Sequence, residues 1–95
     1  MGTLVARNVR VGELRTSMRM APYMWEALDE ICKREEITRS DFVTRVDAYR
    51  SDEGSLTDAV RVAILAYFRK LALSAEVFSS GPNESLVRSV MEMRP

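Results

Sequence analysis

The stretch Leu14-Arg15-Thr16-Ser17-Met18-Arg19-Met20-Ala21-Pro22 constrains the fold of this chain more than any other. From Arg15 to Met20 two kinds of residue alternate. Arg15, Ser17 and Arg19 fall on one parity; Thr16, Met18 and Met20 fall on the other. A β-strand sends alternate side chains to opposite faces. A strand here therefore has an outer face of two guanidiniums around a hydroxyl, and an inner face made mostly of thioether. Pro22 ends the strand and suits the first turn of a helix, where its missing N–H costs nothing. A lone strand leaves both its edges unpaired. No later segment alternates in this way, so the strand must pair either with the segment just before it or with its own copy in a second chain.

The preceding segment leaves both options open. Val5, Val9 and Val11 are spaced by polar residues and lead into Gly12-Glu13. Gly-X is a type II′ hairpin signal, so residues 1–13 are either a strand that folds back on Leu14–Met20 or a flexible basic arm.

Three helices follow. The first is predicted from Pro22 to Glu35, with Met24, Trp25, Leu28, Ile31 and Cys32 forming one apolar stripe. Trp25 and Cys32 are expected in the core. Glu36-Ile37-Thr38 makes the turn. Thr38 is a good N-cap with Asp41 three residues on, and the second helix runs from Arg39 to Tyr49 on Phe42, Val43, Val46 and Tyr49. Ser55 caps a third helix from about Leu56 to Leu73. Its interior, Val62-Ala63-Ile64-Leu65-Ala66-Tyr67-Phe68, is apolar on nearly every side. A helix of that kind needs cover from more than one direction, and in a short chain a second subunit is the expected source. Beyond Ser74 lies a breaker cluster, Ser79-Ser80-Gly81-Pro82-Asn83, and then a segment over residues 84–93 that reads as a short amphipathic helix.

Composition narrows the function. The chain has 95 residues, enough for one small domain, and its formal net charge is zero. The distribution is uneven: Arg7, Arg10, Arg15 and Arg19 face only Glu13 in the first twenty residues. The cations are nearly all arginine, the better fork for phosphates and base edges, although genome composition also raises arginine. There is no histidine, and Cys32 is the only cysteine, which excludes an internal disulfide and a Cys/His metal cluster. Glu26, Asp29 and Glu30 lie beside Lys33 and Arg34 on a solvated face, where they read as surface pairs. No glycine loop suited to phosphate is present. An enzyme is not expected, nor a cofactor. With no apolar run near the length of a membrane span and no signal-peptide core after Met1, the expected location is the cytoplasm.

The order of a short polar/apolar strand, a proline at a helix start, a helix, a tight turn with Thr and Ser, and a second helix resembles the ribbon-helix-helix family, the fold of the Arc and MetJ repressors. The resemblance covers Leu14 to Leu73 and is carried by Arg15 to Met20, by Trp25-Glu26-Ala27-Leu28 and by Leu56 to Phe68; small bacterial proteins with a ribbon-helix-helix domain look most similar. It implies a mainly α fold with one short strand. Two chains pair that strand antiparallel into an intermolecular ribbon that enters the major groove. It further implies base contacts from Arg15, Ser17 and Arg19 and phosphate contacts from Thr38, Arg39 and Ser40. The dimer core it implies is Met18, Met20, Trp25, Leu28, Phe42, Val46, Ile64 and Phe68. Two features depart from the family pattern. A third helix and a tail are added, and Glu35-Glu36 stands where a glycine is often found.

The function expected from this reading is sequence-specific binding of double-stranded DNA by a homodimer that regulates transcription. Two alternatives stand beside it: an antitoxin-like protein whose residues 75–95 bind a partner protein, and an interaction module that does not bind DNA, which the zero net charge favours.

Overall fold

The computed structural model describes residues 3–50, 54–76 and 90–91. Two strands, β1 (Val5–Val11) and β2 (Leu14–Met20), are followed by three helices, α1 (Pro22–Glu35), α2 (Arg39–Tyr49) and α3 (Leu56–Glu76). The expected tail helix over residues 84–93, apart from Val90 and Met91, lies outside the described residues, and so does most of the segment 75–95 expected to take a partner.

The strands form a two-stranded antiparallel sheet in which Val5 faces Met20, Asn8 faces Ser17 and Val11 faces Leu14. This corrects the expectation of a single strand completed by a second chain: the chain supplies both strands of the ribbon itself. The cause is local. Gly12 takes φ +61° at the first position of the two-residue turn, the conformation a type II′ hairpin needs and glycine adopts without strain.

The inner face of the hairpin carries Val9, Met18 and Met20 into the core, where they meet Trp25, Leu28, Ile31, Cys32, Val43, Val60 and Ile64. Met18 and Met20 are fully buried, and burying a side chain of that size is worth roughly 1.5–3 kcal/mol. That anchorage lets a two-stranded ribbon persist, since an isolated hairpin is marginal in water. The Trp25 indole adds a hydrogen bond, Nε1 donating to the Val5 carbonyl at 2.8 Å, which ties α1 to the start of β1.

Each helix begins and ends for a reason visible in the chain. Pro22 opens α1 after Ala21, whose carbonyl accepts from Met24 and Trp25. At its far end Glu36 takes the left-handed conformation, φ 55°, and the Ile37 N–H closes on the Cys32 carbonyl at 3.0 Å, the long bond of a Schellman ending. α2 opens with a reciprocal cap: Thr38 Oγ1 accepts from the Asp41 N–H and the Asp41 carboxylate accepts from the Thr38 N–H. Ser55 caps α3 by accepting from the Asp58 N–H.

α3 runs past its expected end. Val60 and Ile64 are buried, Tyr67 and Phe68 lie edge to face at 5.5 Å, and the Tyr67 hydroxyl donates to Glu35 at 2.8 Å. Its opposite side is bare: Val62 is 64% and Leu65 68% exposed.

Candidate nucleic-acid interface

The outward face of the hairpin is fixed by register. Ala6, Asn8 and Arg10 of β1 lie on it with Arg15, Ser17 and Arg19 of β2, and all six are exposed. The three β2 residues are those that parity singles out in the sequence. Asn8 and Arg10 do not emerge from a reading centred on residues 14–20. The signal for them was the Val9-Arg10-Val11 alternation running into Gly12-Glu13, which acquires a face only once the hairpin closes.

Arg10 stands directly opposite Arg15. Like charges across a strand pair are mildly destabilising, so their juxtaposition is a cost borne by the fold. Four other arginines are matched: Arg34 with Glu30, Arg39 with Asp29, Arg50 with Asp47 and Arg61 with Asp58, while Arg7, Lys33, Arg45, Arg69 and Lys70 are, like the ribbon arginines, without an ion pair among the described residues. Among the described residues, Arg10, Arg15 and Arg19 make no ion pair. The hairpin therefore presents guanidinium forks that the protein leaves available to acceptors from outside.

The ribbon is held rigidly against α2. The Arg10 N–H donates to Ser40 Oγ at 2.9 Å, Thr44 Oγ1 donates to the Arg10 carbonyl at 3.3 Å, and the Gly12 N–H donates to Thr44 Oγ1 at 3.2 Å. On the other side an Arg61 guanidinium nitrogen donates to the Arg19 carbonyl at 3.3 Å. The first turn of α2 thus abuts the edge of the ribbon.

The side chains at that turn are engaged within the protein. Thr38 caps the helix, and Ser40 holds the main chain of Arg10. Arg39 forks onto Asp29, at 2.7 Å through Nε and 2.8 Å through Nη2, and lies 5.2 Å from the centre of the Trp25 ring. The hydrogen bond from Arg39 is the main reason the Asp29 carboxyl sits below its usual range, and the same bond raises Arg39. Asp41 is also held low, chiefly by the Thr38 N–H. What this turn offers an anion is its main-chain amides at Arg39 and Ser40, with the Asp41 carboxylate close by.

Of the residues expected to form a dimer core, Met18, Met20, Trp25, Leu28 and Ile64 are buried inside one chain, while Phe42, Val46 and Phe68 are only partly covered. Burial, above all, raises the Cys32 thiol from its usual value, as suits a packing group. Among the described residues no group of His, Cys, Asp or Glu could hold a metal ion, and no helix is long and apolar enough to cross a membrane.

Residues 4–68 match the family model of the ribbon-helix-helix domain, more than half of the chain. No curated protein and no solved structure matches the chain significantly. The matched span runs from just before β1 into α3 and takes in the hairpin, α1 and α2. The chain belongs to the ribbon-helix-helix domain family, whose members are generally DNA-binding regulators and typically not enzymes.

Proposed function

We propose that the protein binds double-stranded DNA sequence-specifically, as a homodimer, with the hairpin ribbon in the major groove, and that it regulates transcription there. The observation that carries this reading is the exposed ribbon face bearing Arg10, Arg15 and Arg19 without carboxylate partners among the described residues. A two-stranded ribbon fits the major groove, about 12 Å wide, and arginine is the commonest reader of guanine there. Arg15, Ser17 and Arg19 contact base edges. The first turn of α2, Thr38 to Ser40, approaches a phosphate through its amides, because its side chains are already committed. The second protomer covers the bare side of α3 around Val62 and Leu65, next to the exposed Tyr49. Apolar patches of this kind on small domains mark association surfaces.

Binding of labelled genomic fragments at stepped salt tests this. Affinity should fall steeply as salt rises, because phosphate contacts release counterions. The Arg19→Ala variant should relax sequence preference by about 1–3 kcal/mol at one position. Unchanged binding after Arg15→Ala and Arg19→Ala together overturns the ribbon assignment. For the dimer, a Val62→Glu and Leu65→Glu double variant should sediment as a protomer at a concentration where the parent sediments as a pair.

A further inference from the structure

The two strands of the hairpin are copies of one pattern. Val5-Ala6-Arg7-Asn8-Val9-Arg10-Val11 aligns without gaps on Leu14-Arg15-Thr16-Ser17-Met18-Arg19-Met20. Small polar groups coincide (Asn8 with Ser17), as do buried apolar ones (Val9 with Met18) and cations (Arg10 with Arg19). The pairing register sets Asn8 directly opposite Ser17. Equivalent residues therefore meet at the centre, and a local pseudo-two-fold axis passes between them. A ribbon formed by two identical chains has this symmetry by necessity; here one chain reproduces it through an internal repeat.

From that symmetry, and resting on the DNA-binding reading above, we propose that β1 is a reading strand: Asn8 and Arg10 determine base preference alongside Ser17 and Arg19. Three further observations support this. Asn8 and Arg10 share the outer face with the β2 residues and are exposed. The main chain of Arg10 is gripped on both its N–H and its C=O by Ser40 and Thr44, so the root of the side chain is fixed, as a specific contact requires. Arg10 and Arg15 face each other without a carboxylate among the described residues, and two guanidinium forks side by side suit adjacent guanine O6 and N7 acceptors. Asn8, at the centre, has the paired donor and acceptor that match adenine N6 and N7. On the outer face the symmetry is broken at one place, where Arg15 is matched by Ala6; on the other face Arg7 is matched by Thr16. One hairpin therefore reads an asymmetric site, with two forks near the turn and one at the far end.

The test is selection of bound duplexes from a random library by the full chain and its Asn8→Ala, Arg10→Ala, Arg10→Lys and Arg19→Ala variants, each checked for helix content. Arg10→Ala should lose roughly tenfold or more of its preference at one guanine position, and Asn8→Ala a similar amount at a neighbouring position. Arg10→Lys keeps the charge and should retain affinity for random DNA while losing the guanine preference, because lysine lacks the planar fork. If the selected motif survives in both Asn8→Ala and Arg10→Ala while Arg19→Ala alters it, β1 is not a reading strand although the protein reads DNA. Uniform weakening by Arg10→Ala over all sequences makes Arg10 a phosphate contact and overturns the assignment equally. If the parent protein selects no duplex, the DNA-binding reading fails and this one with it.

Discussion

Arg39 closes on Asp29 with two hydrogen bonds of 2.7 and 2.8 Å, joining the first residue of α2 to the middle of α1 while its guanidinium lies over Trp25. An exposed ion pair is usually worth well under 1 kcal/mol, but a forked one over an aromatic ring reaches further. Arg39→Gln should destabilise the fold by about 1 kcal/mol, lowering Tm by roughly 4–8 °C, with little effect on DNA affinity at a temperature where both proteins are folded. A large loss of affinity in the folded variant would instead give Arg39 a direct phosphate contact.

Asp29 and Asp41 both have carboxyl groups held below the usual 3.8, by Arg39 and by the Thr38 N–H respectively. Protons bind these groups more weakly in the folded than in the unfolded chain. Their contribution is present above about pH 4 and is lost as pH falls through and below that value. Chemical denaturation across pH 2–7 should show this acid loss, and Asp29→Asn combined with Asp41→Asn should flatten it. An undiminished acid slope in the double variant assigns the effect to other carboxylates.

Glu36 adopts a left-handed conformation, φ 55°, at the end of α1. A side chain there costs about 1–2 kcal/mol that glycine avoids, against glycine's greater freedom when unfolded. Glu36→Gly should therefore stabilise the protein by roughly 0.5–1 kcal/mol, read as a higher denaturant midpoint at unchanged slope. Removing its negative charge beside the first turn of α2 should also slightly strengthen DNA binding at low salt.

Gly12 carries φ +61°, and nothing lies within 4 Å of where a Cβ would stand. Gly12→Ala is thus a purely conformational insult of about 1–2 kcal/mol, with no clash to confuse it. It should loosen the hairpin before the helices, and faster amide exchange at Val11 and Leu14 than in α1 would reveal that order. Uniformly faster exchange would mean that the hairpin and helices open together.

The helices were legible because their signals are local. Pro22, Thr38 with Asp41, and Ser55 each satisfy or remove orphan amides within a few residues of themselves, so spacing alone predicts the starts. The parity of Arg15 to Met20 likewise needs only the strand's own geometry. The partner of that strand was not legible. Gly12 permits the turn locally, but what holds the hairpin in place of a loose arm is the Trp25 indole reaching the Val5 carbonyl and Ser40 and Thr44 reaching Arg10, contacts spanning 20 to 34 residues of chain. The engagement of Arg39 was hidden for the same reason. The resemblance implied a phosphate contact for its side chain, but Asp29, ten residues earlier across the turn, holds the guanidinium.

Among the described residues nothing pairs with the outer edge of β2 along Arg15 and Ser17, where alternate main-chain groups point away from β1. An uncovered edge invites growth by addition of further strands, molecule upon molecule. Here every incoming copy would bring arginines of its own against Arg15 and Arg19, and that repulsion weakens as salt screens it. The same outward-facing guanidiniums would thus oppose sheet polymerisation in the crowded protein, and neutralising them would open a route to fibres.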